Sequence, residues 1–186
     1  MVNEVNFVFD TETNGLGNCS VLSISFIICS GSEILNEQTR YYFASEPYNY
    51  HATKVHGLTK DIIEEKRNQC TYPRYFNEDY DWLIETMEEY KVNNFVAHNI
   101  SFDIKFLPQL IKDKINNSHY STFCTMKENS KFVGIKKGKG FKYPRLSEAC
   151  RAYDIEFSED QAHASDYDTL KAYELFVAII KNQEKR

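Results

Sequence analysis

The sequence predicts an α/β fold in which a mixed central β-sheet is flanked by helices. Two apolar runs rich in aromatic and β-branched residues lie at positions 5–9 and 21–29, and a third candidate strand lies at 34–43. The rest of the chain alternates short strand candidates with segments in which apolar residues recur at helical spacing. The chain thus begins with consecutive strands and continues with strands that alternate with helices. This order indicates a sheet in which some neighbouring strands are antiparallel and others are parallel.

The first two strand candidates are predicted to form a β-hairpin, because the segment TETNGLGN between them is rich in turn-forming residues. Asp10 lies at the end of the first strand and Glu12 just beyond it. An irregular stretch is expected after the third strand, through Tyr50. Thr59 is then expected to cap a helix that begins KDIIEEK.

The second half is predicted to contain an amphipathic helix over 76–90, a buried strand at 94–97 and a further strand at 121–125. A helix is expected from Ser101, and Pro108 must kink or interrupt it because proline lacks the amide donor.

A flexible loop is expected between this part and the last two helices, over residues 127–145, because glycines alternate there with lysines. The last two helices are predicted over 146–153 and 162–180.

Length and composition indicate one globular domain spanning residues 1–186. The 186 residues are 42% hydrophobic and 26% charged, as is ordinary for a chain that buries a core. The amino terminus reaches acidic residues before any signal-like apolar run, and no stretch of about 18 apolar residues is present. Five scattered cysteines without a paired spacing suit reduced thiols. We therefore expect a cytoplasmic protein without a membrane segment.

Charge is distributed unevenly along the chain. The net charge of −5 argues against a protein whose whole surface grips long duplex DNA. In residues 127–145, seven basic residues stand against Glu128 alone, which gives this segment a charge of +6. The basic residues are Lys127, Lys131, Lys136, Lys137, Lys139, Lys142 and Arg145.

Acidic residues follow the predicted strand ends. Asp10 and Glu12 are two residues apart, so they point to the same side of the sheet if the strand continues that far. Asp103 follows the strand at 94–97, and His163 and Asp168 lie five residues apart near the start of the last predicted helix. Hard divalent cations prefer such oxygen ligands. Each group taken alone is a weak signal, because solvated acids at a strand end and surface or core histidines are more common than catalytic ones.

Taken together, three segments resemble the exonuclease motifs of the DEDDh branch of the DnaQ-like superfamily. They read FVFDTETNGL, VAHNISFDIKFL and HASDYDT, and the segments ATKVHGLT and RLSEAC extend the similarity over nearly the whole chain. The matched positions are Asp10, Glu12 and Gly15 in the first motif, Asn99, Phe102, Asp103 and Phe106 in the second, and His163 and Asp168 in the third. The resemblance implies a ribonuclease-H-like fold with the carboxylates at one edge of the sheet.

The resemblance also implies a chemistry. Asp10, Glu12 and Asp168 would hold the first of two Mg²⁺ or Mn²⁺ ions, Asp10 would bridge to the second, and Asp103 would bind that second ion. His163 would be the general base that takes a proton from water. The expected reaction is 3′-to-5′ release of nucleoside 5′-monophosphates from the 3′ end of DNA.

The resemblance further implies contacts to a nucleic acid, most simply a single-stranded 3′ end. The residues expected to bind it are Thr13, Leu16, His56, Asn99 and Phe102. Leu16 is expected to wedge beside the last base and Phe102 to stack on it, whereas Phe106 is expected in the core. Two positions differ from the residues that are common in the family: Asn14 stands where threonine is common, and Leu58 where isoleucine is common. These differences put only the substrate preference in doubt.

Several alternatives stay open. The basic segment 127–145 either tracks the phosphates of the upstream strand, with Phe141 and Tyr143 stacking, or is a solvated insertion. RNA is the alternative to DNA, because no motif reports on a 2′-hydroxyl. A non-catalytic binding module is the alternative to an enzyme, although it would not need all four acids and the histidine. A phosphatase with an aspartate nucleophile is set aside because such enzymes carry D-x-D-x-T/V after the first strand, where this chain reads DTETN. No polymerase-docking surface is evident.

Overall fold

A five-stranded mixed sheet lies at the centre of the structure, a computed structural model that describes residues 4–184. The strands are β1 (Val5–Thr13), β2 (Val21–Ser30), β3 (Glu33–Tyr41), β4 (Asn94–Ala97) and β5 (Ser121–Cys124). They follow the order β3-β2-β1-β4-β5. The first three pair antiparallel, whereas β4 runs parallel to both β1 and β5. The predicted mixed sheet is therefore confirmed.

Helices connect and cover these strands. They are α1 (Tyr50–His56), α2 (Lys60–Lys66), α3 (Tyr80–Glu89), α4 (Ile100–Asp103), α5 (Gln109–Asn116), α6 (Thr125–Val133), α7 (Leu146–Ala152) and α8 (Ser165–Glu184). The Thr59 side chain accepts a hydrogen bond from the Ile62 N–H, as expected of the residue that caps α2. Pro108 interrupts the helix that starts near Ser101, which continues as the separate α5. Within residues 4–184, none of the helices combines the length and apolar character that a membrane span requires.

The structure adds one helix to the prediction and corrects one expected loop. The stretch expected to be irregular through Tyr50 is irregular over residues 42–49 and leads into α1, which the sequence did not predict. The Asn49 side chain caps this helix, which ends at Gly57 in the left-handed region (φ 72°). The segment 127–145 is not a loop. It contains most of α6 and a small hairpin of β6 (Lys136–Lys137) and β7 (Gly140–Phe141).

Two element boundaries also differ from the sequence prediction. Strand β1 continues four residues beyond Phe9, because it pairs with β2 as far as Thr13. Helix α8 begins at Ser165, so His163 precedes the helix, with a left-handed φ of 66°. The prediction that the last helix begins at residue 162 and includes His163 was therefore wrong. Residues 1–3 and 185–186, which the single-domain prediction includes, lie outside the described residues.

Alternation along β1 separates two cores. Phe7 and Phe9 face a large aromatic cluster that also contains Phe26 and Phe95 of neighbouring strands. Val8 faces the opposite side of the sheet, where Ala172 and Phe176 of α8 pack against it. Because side chains alternate along a strand, Asp10 and Glu12 lie on the same side as Val8, near the beginning of α8. Packing of α8 against β1 and β2 therefore positions the third motif beside the first.

Truncating α8 at its contact with the sheet tests this packing. Phe176 is 3% exposed, and we expect Phe176→Ala to lower the free energy of unfolding by about 3–5 kcal/mol because it opens a cavity. Leu110→Ala, at a side chain that is 48% exposed, is the control and should change the free energy by less than about 1 kcal/mol. Urea denaturation measures both. Equal effects would contradict the packing described.

Candidate active site

The end of β1 supplies two neighbouring carboxylates. Asp10 pairs with Ser25 of β2 and Glu12 with Ser23, so both acids lie within the regular part of the strand. The pairing register shifts between Glu12 and Thr13, where the strand ends. Both side chains are half-buried. The two acids thus occupy fixed positions on the α8 side of the sheet.

Asp103 reaches this edge through a sharp turn after β4. Asn99 has a left-handed conformation, φ 77° and ψ 45°, which turns the chain from the strand into α4. The Asp103 carboxylate then accepts two hydrogen bonds from Thr11, one from the backbone N–H (3.2 Å) and one from the side-chain hydroxyl (2.7 Å). Asp103 is 3% exposed. Thr11 therefore fixes the second motif to the middle of the first.

Asp168 and His163 complete the group from the third motif. The His163 backbone N–H donates to Asp168 Oδ2 (3.2 Å), and the other oxygen, Oδ1, is buried without a hydrogen-bond partner among the described residues. Ligand atoms of Glu12, His163 and Asp168 all lie within 4.8 Å of one another. The structure thus brings together residues that the sequence separates by about 150 positions.

Crowding of these acids changes their protonation. Burial, and then the charges of Asp103, Glu12 and Asp168, raise the pKa of Asp10 well above its ordinary value. Burial and neighbouring carboxylates also raise the pKa of Glu12. Burial raises the pKa of Asp103 against the opposing effect of its Thr11 hydrogen bonds, and it raises the pKa of Asp168 to about 6. Four ionised carboxylates are therefore unfavourable here without a compensating positive charge.

A divalent cation fits this donor set. The cluster offers carboxylate oxygens and an imidazole, and Asp168 Oδ1 is a buried acceptor that no protein donor satisfies in residues 4–184. A bound cation would satisfy that oxygen and would reverse the mutual repulsion of the acids.

A pocket of about 480 Å³ opens beside the carboxylates. Four of the five predicted substrate-binding residues line it, namely Thr13, Leu16, His56 and Phe102. The Leu16 side chain is 87% exposed, and the Phe102 ring packs edge-on against Phe106 with 5.3 Å between centroids. Asn99, the fifth, is exposed at its turn and does not line this pocket. Phe106 is partly buried against the main core, as expected.

The His56 ring joins the α1–α2 turn to the end of β1. Its Nδ1 accepts a hydrogen bond from the Leu58 N–H (3.0 Å), so Nε2 carries the proton and donates to the Thr13 carbonyl (3.2 Å). Burial lowers the pKa of His56, which favours this neutral form. Both ring nitrogens are therefore engaged with backbone, and His56 holds one wall of the pocket in place.

A carboxylate that the sequence analysis did not single out fixes the loop after β1. Glu46 accepts hydrogen bonds from the Ser20 N–H (2.8 Å), the Ser20 hydroxyl (2.7 Å) and the Asn14 amide (2.9 Å). Although burial opposes ionisation, these bonds lower the pKa of Glu46 to about 2. Asn14 also accepts from the Asn49 N–H (2.8 Å). Asn14, one of the departures from the family spelling, therefore ties α1 to the loop that presents Leu16.

His98 is a second residue whose role the sequence did not reveal. Burial lowers its pKa to about 4, so the ring is neutral near pH 7. Nε2 lies 3.0 Å from the Pro144 carbonyl and must donate to it, which leaves Nδ1 to accept from the Thr125 hydroxyl (2.9 Å). His98 directly precedes Asn99 in the motif VAHN, so it connects the second motif to α6 and to the segment after β7.

Comparison with known proteins agrees with this geometry. A family model described as "Exonuclease" matches residues 7–176. The chain belongs to the exonuclease family. The resemblance of its three motifs to DnaQ-like exonucleases and the predicted fold class are thereby confirmed, and proteins of this family depend on divalent metal ions.

Individual relatives differ in how much of them the chain covers. It is 34% identical over 188 residues to Ribonuclease T of Buchnera aphidicola subsp. Baizongia pistaciae, covering 93% of this chain and 82% of the relative. It is 26% identical over 190 residues to the PolC-type DNA polymerase III of Bacillus subtilis (strain 168), covering 98% of this chain but only 12% of that protein. The fold also matches exonuclease X in complex with 5′ overhanging duplex DNA, with a TM-score of 0.64 and 20% identity over 96% of this chain and 93% of that one.

Removing and restoring a divalent cation tests the electrostatics of the site. The pKa of Asp168 is raised from about 4 to about 6, so the stability that its protonation confers is present below about pH 4 and is lost as pH rises through about 6. The metal-free protein should therefore melt at lower temperature near pH 8 than near pH 5. Saturating Mn²⁺ should raise the melting temperature near pH 8 by about 5–10 °C, and by less near pH 5.

A charge-matched pair of variants controls this experiment. Asp168→Asn should reduce the effect of Mn²⁺, whereas Asp61→Asn, at an exposed acid on α2, should leave it unchanged. An equal effect of Mn²⁺ in both variants would show that the cation binds elsewhere.

Neutralising Glu46 tests the loop that carries Leu16. With a folded pKa of about 2, the Glu46 carboxylate stabilises the protein above about pH 4, and this contribution is lost as pH falls towards 2. Glu46→Gln should therefore lower the denaturation midpoint at neutral pH but by less near pH 3. Glu64→Gln, at an exposed acid on α2, is the control. A pH-independent difference between wild type and Glu46→Gln would contradict this role.

Proposed function

We propose that the chain is a metal-dependent 3′-to-5′ exonuclease that releases nucleoside 5′-monophosphates from single-stranded 3′ ends. The main supporting observation is that Glu12, Asp168 and His163 converge within 4.8 Å beside a nucleoside-sized pocket. Family membership supports the same activity. The chain spans only 12% of the length of the PolC-type relative, so the activity of that whole protein is not assigned to this chain.

Asp10, Glu12, Asp103 and Asp168 are proposed to hold two divalent cations, Mg²⁺ or Mn²⁺, with Asp10 contributing to both. Such cations supply positive charge for the phosphate and the leaving oxyanion. The two Thr11 hydrogen bonds keep the Asp103 carboxylate from rotating, so ligand positions are fixed in advance of binding.

His163 is proposed to accept the proton of the attacking water. Its ring is exposed beside Glu12 and Asp168, and imidazole accepts protons near neutral pH. The hydrogen bond from the His163 N–H to Asp168 ties the backbone of this residue to a proposed metal ligand. The base is thus held beside the proposed ligands even though it precedes α8.

The pocket is proposed to receive the terminal nucleotide. Leu16 projects into solvent at its rim and Phe102 forms part of its wall, so a base can lie between an aliphatic and an aromatic side chain. Thr13 does not offer a free hydroxyl proton, because it donates to the Gly15 carbonyl (2.6 Å). Shape and stacking, more than hydrogen bonds from Thr13, are therefore expected to hold the terminal nucleoside.

DNA is the first candidate substrate, supported by the PolC-type relative and by the DNA complex of exonuclease X. The similarity to the PolC-type DNA polymerase III also favours association of this chain with a polymerase. RNA is the second candidate, because the Ribonuclease T relative is matched at higher identity and over most of its length. A non-catalytic binding module is less well supported, since binding alone does not require all four acids and the histidine.

End-labelled DNA and RNA strands of matched sequence, incubated with Mg²⁺, Mn²⁺ or EDTA, test this proposal. A metal-dependent ladder that shortens from the 3′ end is expected, and the faster strand identifies the sugar. His163→Gln should lower the rate by about 100-fold to 10,000-fold, whereas His119→Gln, at an exposed histidine, should not. Asp10→Asn should abolish cleavage and Asp61→Asn should not. A wild-type protein that degrades neither strand would refute the proposed activity.

A further inference from the structure

The hairpin formed by β6 (Lys136–Lys137) and β7 (Gly140–Phe141) is ordered, basic and aromatic. Its two-residue turn begins at Gly138, whose positive φ of 59° is the conformation that such a tight turn requires at its first position. Lys139 follows at the tip of the turn. The Lys142 N–H, just after β7, donates to the Ile135 carbonyl (2.8 Å) and closes the base of the hairpin. The lysines are therefore displayed on a defined support.

The positive charge of this hairpin is not neutralised locally. Lys136, Lys137 and Lys139 are exposed, and within residues 4–184 none of the three pairs with a carboxylate. Lys142, by contrast, forms an ion pair with Glu148 (2.6 Å). Because segment 127–145 carries +6 in a chain of net charge −5, the remainder carries −11. The hairpin is thus a local site for a polyanion on an otherwise acidic protein.

Exposed rings accompany these lysines. Lys136 lies directly opposite Phe141 in the pairing of β6 with β7, so the two side chains project from the same face of the hairpin. Phe141 is 43% exposed and Tyr143, two residues later, is 56% exposed. Ammonium groups next to exposed aromatic rings are the combination that binds phosphates and stacks bases of single-stranded nucleic acid.

The hairpin is attached at the edge of the sheet that bears the carboxylates. His98 hydrogen-bonds to the Pro144 carbonyl, just after β7, and it directly precedes Asn99 of the second motif. The Lys127 ammonium, on α6, donates to the Ser101 hydroxyl (3.2 Å), in the short helix that ends at Asp103. The pocket for the terminal nucleotide instead adjoins the loop after β1. A nucleic-acid strand that extends from the carboxylates in the direction of β5 therefore approaches the hairpin.

We propose that Lys136, Lys137 and Lys139, with Phe141 and Tyr143, form a binding site for the single-stranded segment upstream of the scissile bond. This inference rests on the proposed exonuclease activity and adds a second contact region to it. The ammonium groups bind successive phosphates, and the rings stack on bases without reading their sequence. The site holds the strand between successive cleavages, so it acts on long substrates and not on a single nucleotide.

Fluorescence anisotropy of a labelled single strand of about 20 nucleotides, with Ca²⁺ in place of Mg²⁺, measures binding apart from hydrolysis. Replacing Lys136, Lys137 and Lys139 by Gln should weaken binding about tenfold near physiological salt. It should also reduce the steepness of the salt dependence, a log–log slope, by about 2. Phe141→Ala with Tyr143→Ala should weaken binding by a similar factor with little change in that slope.

A matched triple variant, Lys60→Gln, Lys91→Gln and Lys181→Gln, removes the same charge from exposed positions elsewhere and should bind as the wild type does. Hydrolysis of the p-nitrophenyl ester of thymidine 5′-monophosphate, which is too short to reach the hairpin, should be the same in all variants. Equal binding by the hairpin variant and the matched variant would overturn the proposal. Failure of the wild type to hydrolyse the ester and the strands would instead refute the exonuclease activity, while the binding comparison still decides the role of the hairpin.

Discussion

Mutual repulsion among four carboxylates is the constraint on which the rest of this structure depends. Asp10, Glu12, Asp103 and Asp168 come from three distant parts of the chain, and burial together with their own charges makes joint ionisation unfavourable. Such a cluster forms only if the scaffold holds it against that repulsion. A strand packed on both faces, with α8 covering one of them, provides this rigidity.

Hydrogen bonds that involve backbone groups fix the positions of the site residues on this scaffold. Thr11 fixes Asp103, the His163 N–H fixes Asp168, and His56 fixes the Thr13 carbonyl at the end of β1. The Thr11 and His56 contacts join parts of the site that are distant in the chain, and the His163 contact holds the two residues of the third motif together. Thr11, Thr13 and His56 also line the pocket beside the acids. A bound divalent cation would supply the positive charge that offsets the repulsion among the acids.

Charge is separated across the molecule in a way that suits a polyanionic substrate. The acidic edge repels phosphates unless cations are bound, whereas the hairpin carrying Lys136 and Lys139 attracts them without any cofactor. His98 links the two regions through its neutral ring. The proposed upstream contact and the proposed catalytic site are therefore separate surfaces, which the His98–Pro144 and Lys127–Ser101 hydrogen bonds connect.

The sequence by itself determined the β1–β2 hairpin, the mixed sheet and the motif residues, because alternation, turn chemistry and motif spelling are local properties. Tertiary structure alone decided the seven-residue helix α1, which lacks buried residues and so leaves no apolar period to detect. It also decided that His163 precedes α8, that Asn14 binds Glu46, and that the lysine-rich segment folds into α6 and a hairpin. The Asn14 bonds to Glu46 and Asn49 and the His98 bond to Pro144 join residues more than 30 positions apart, which no local pattern records.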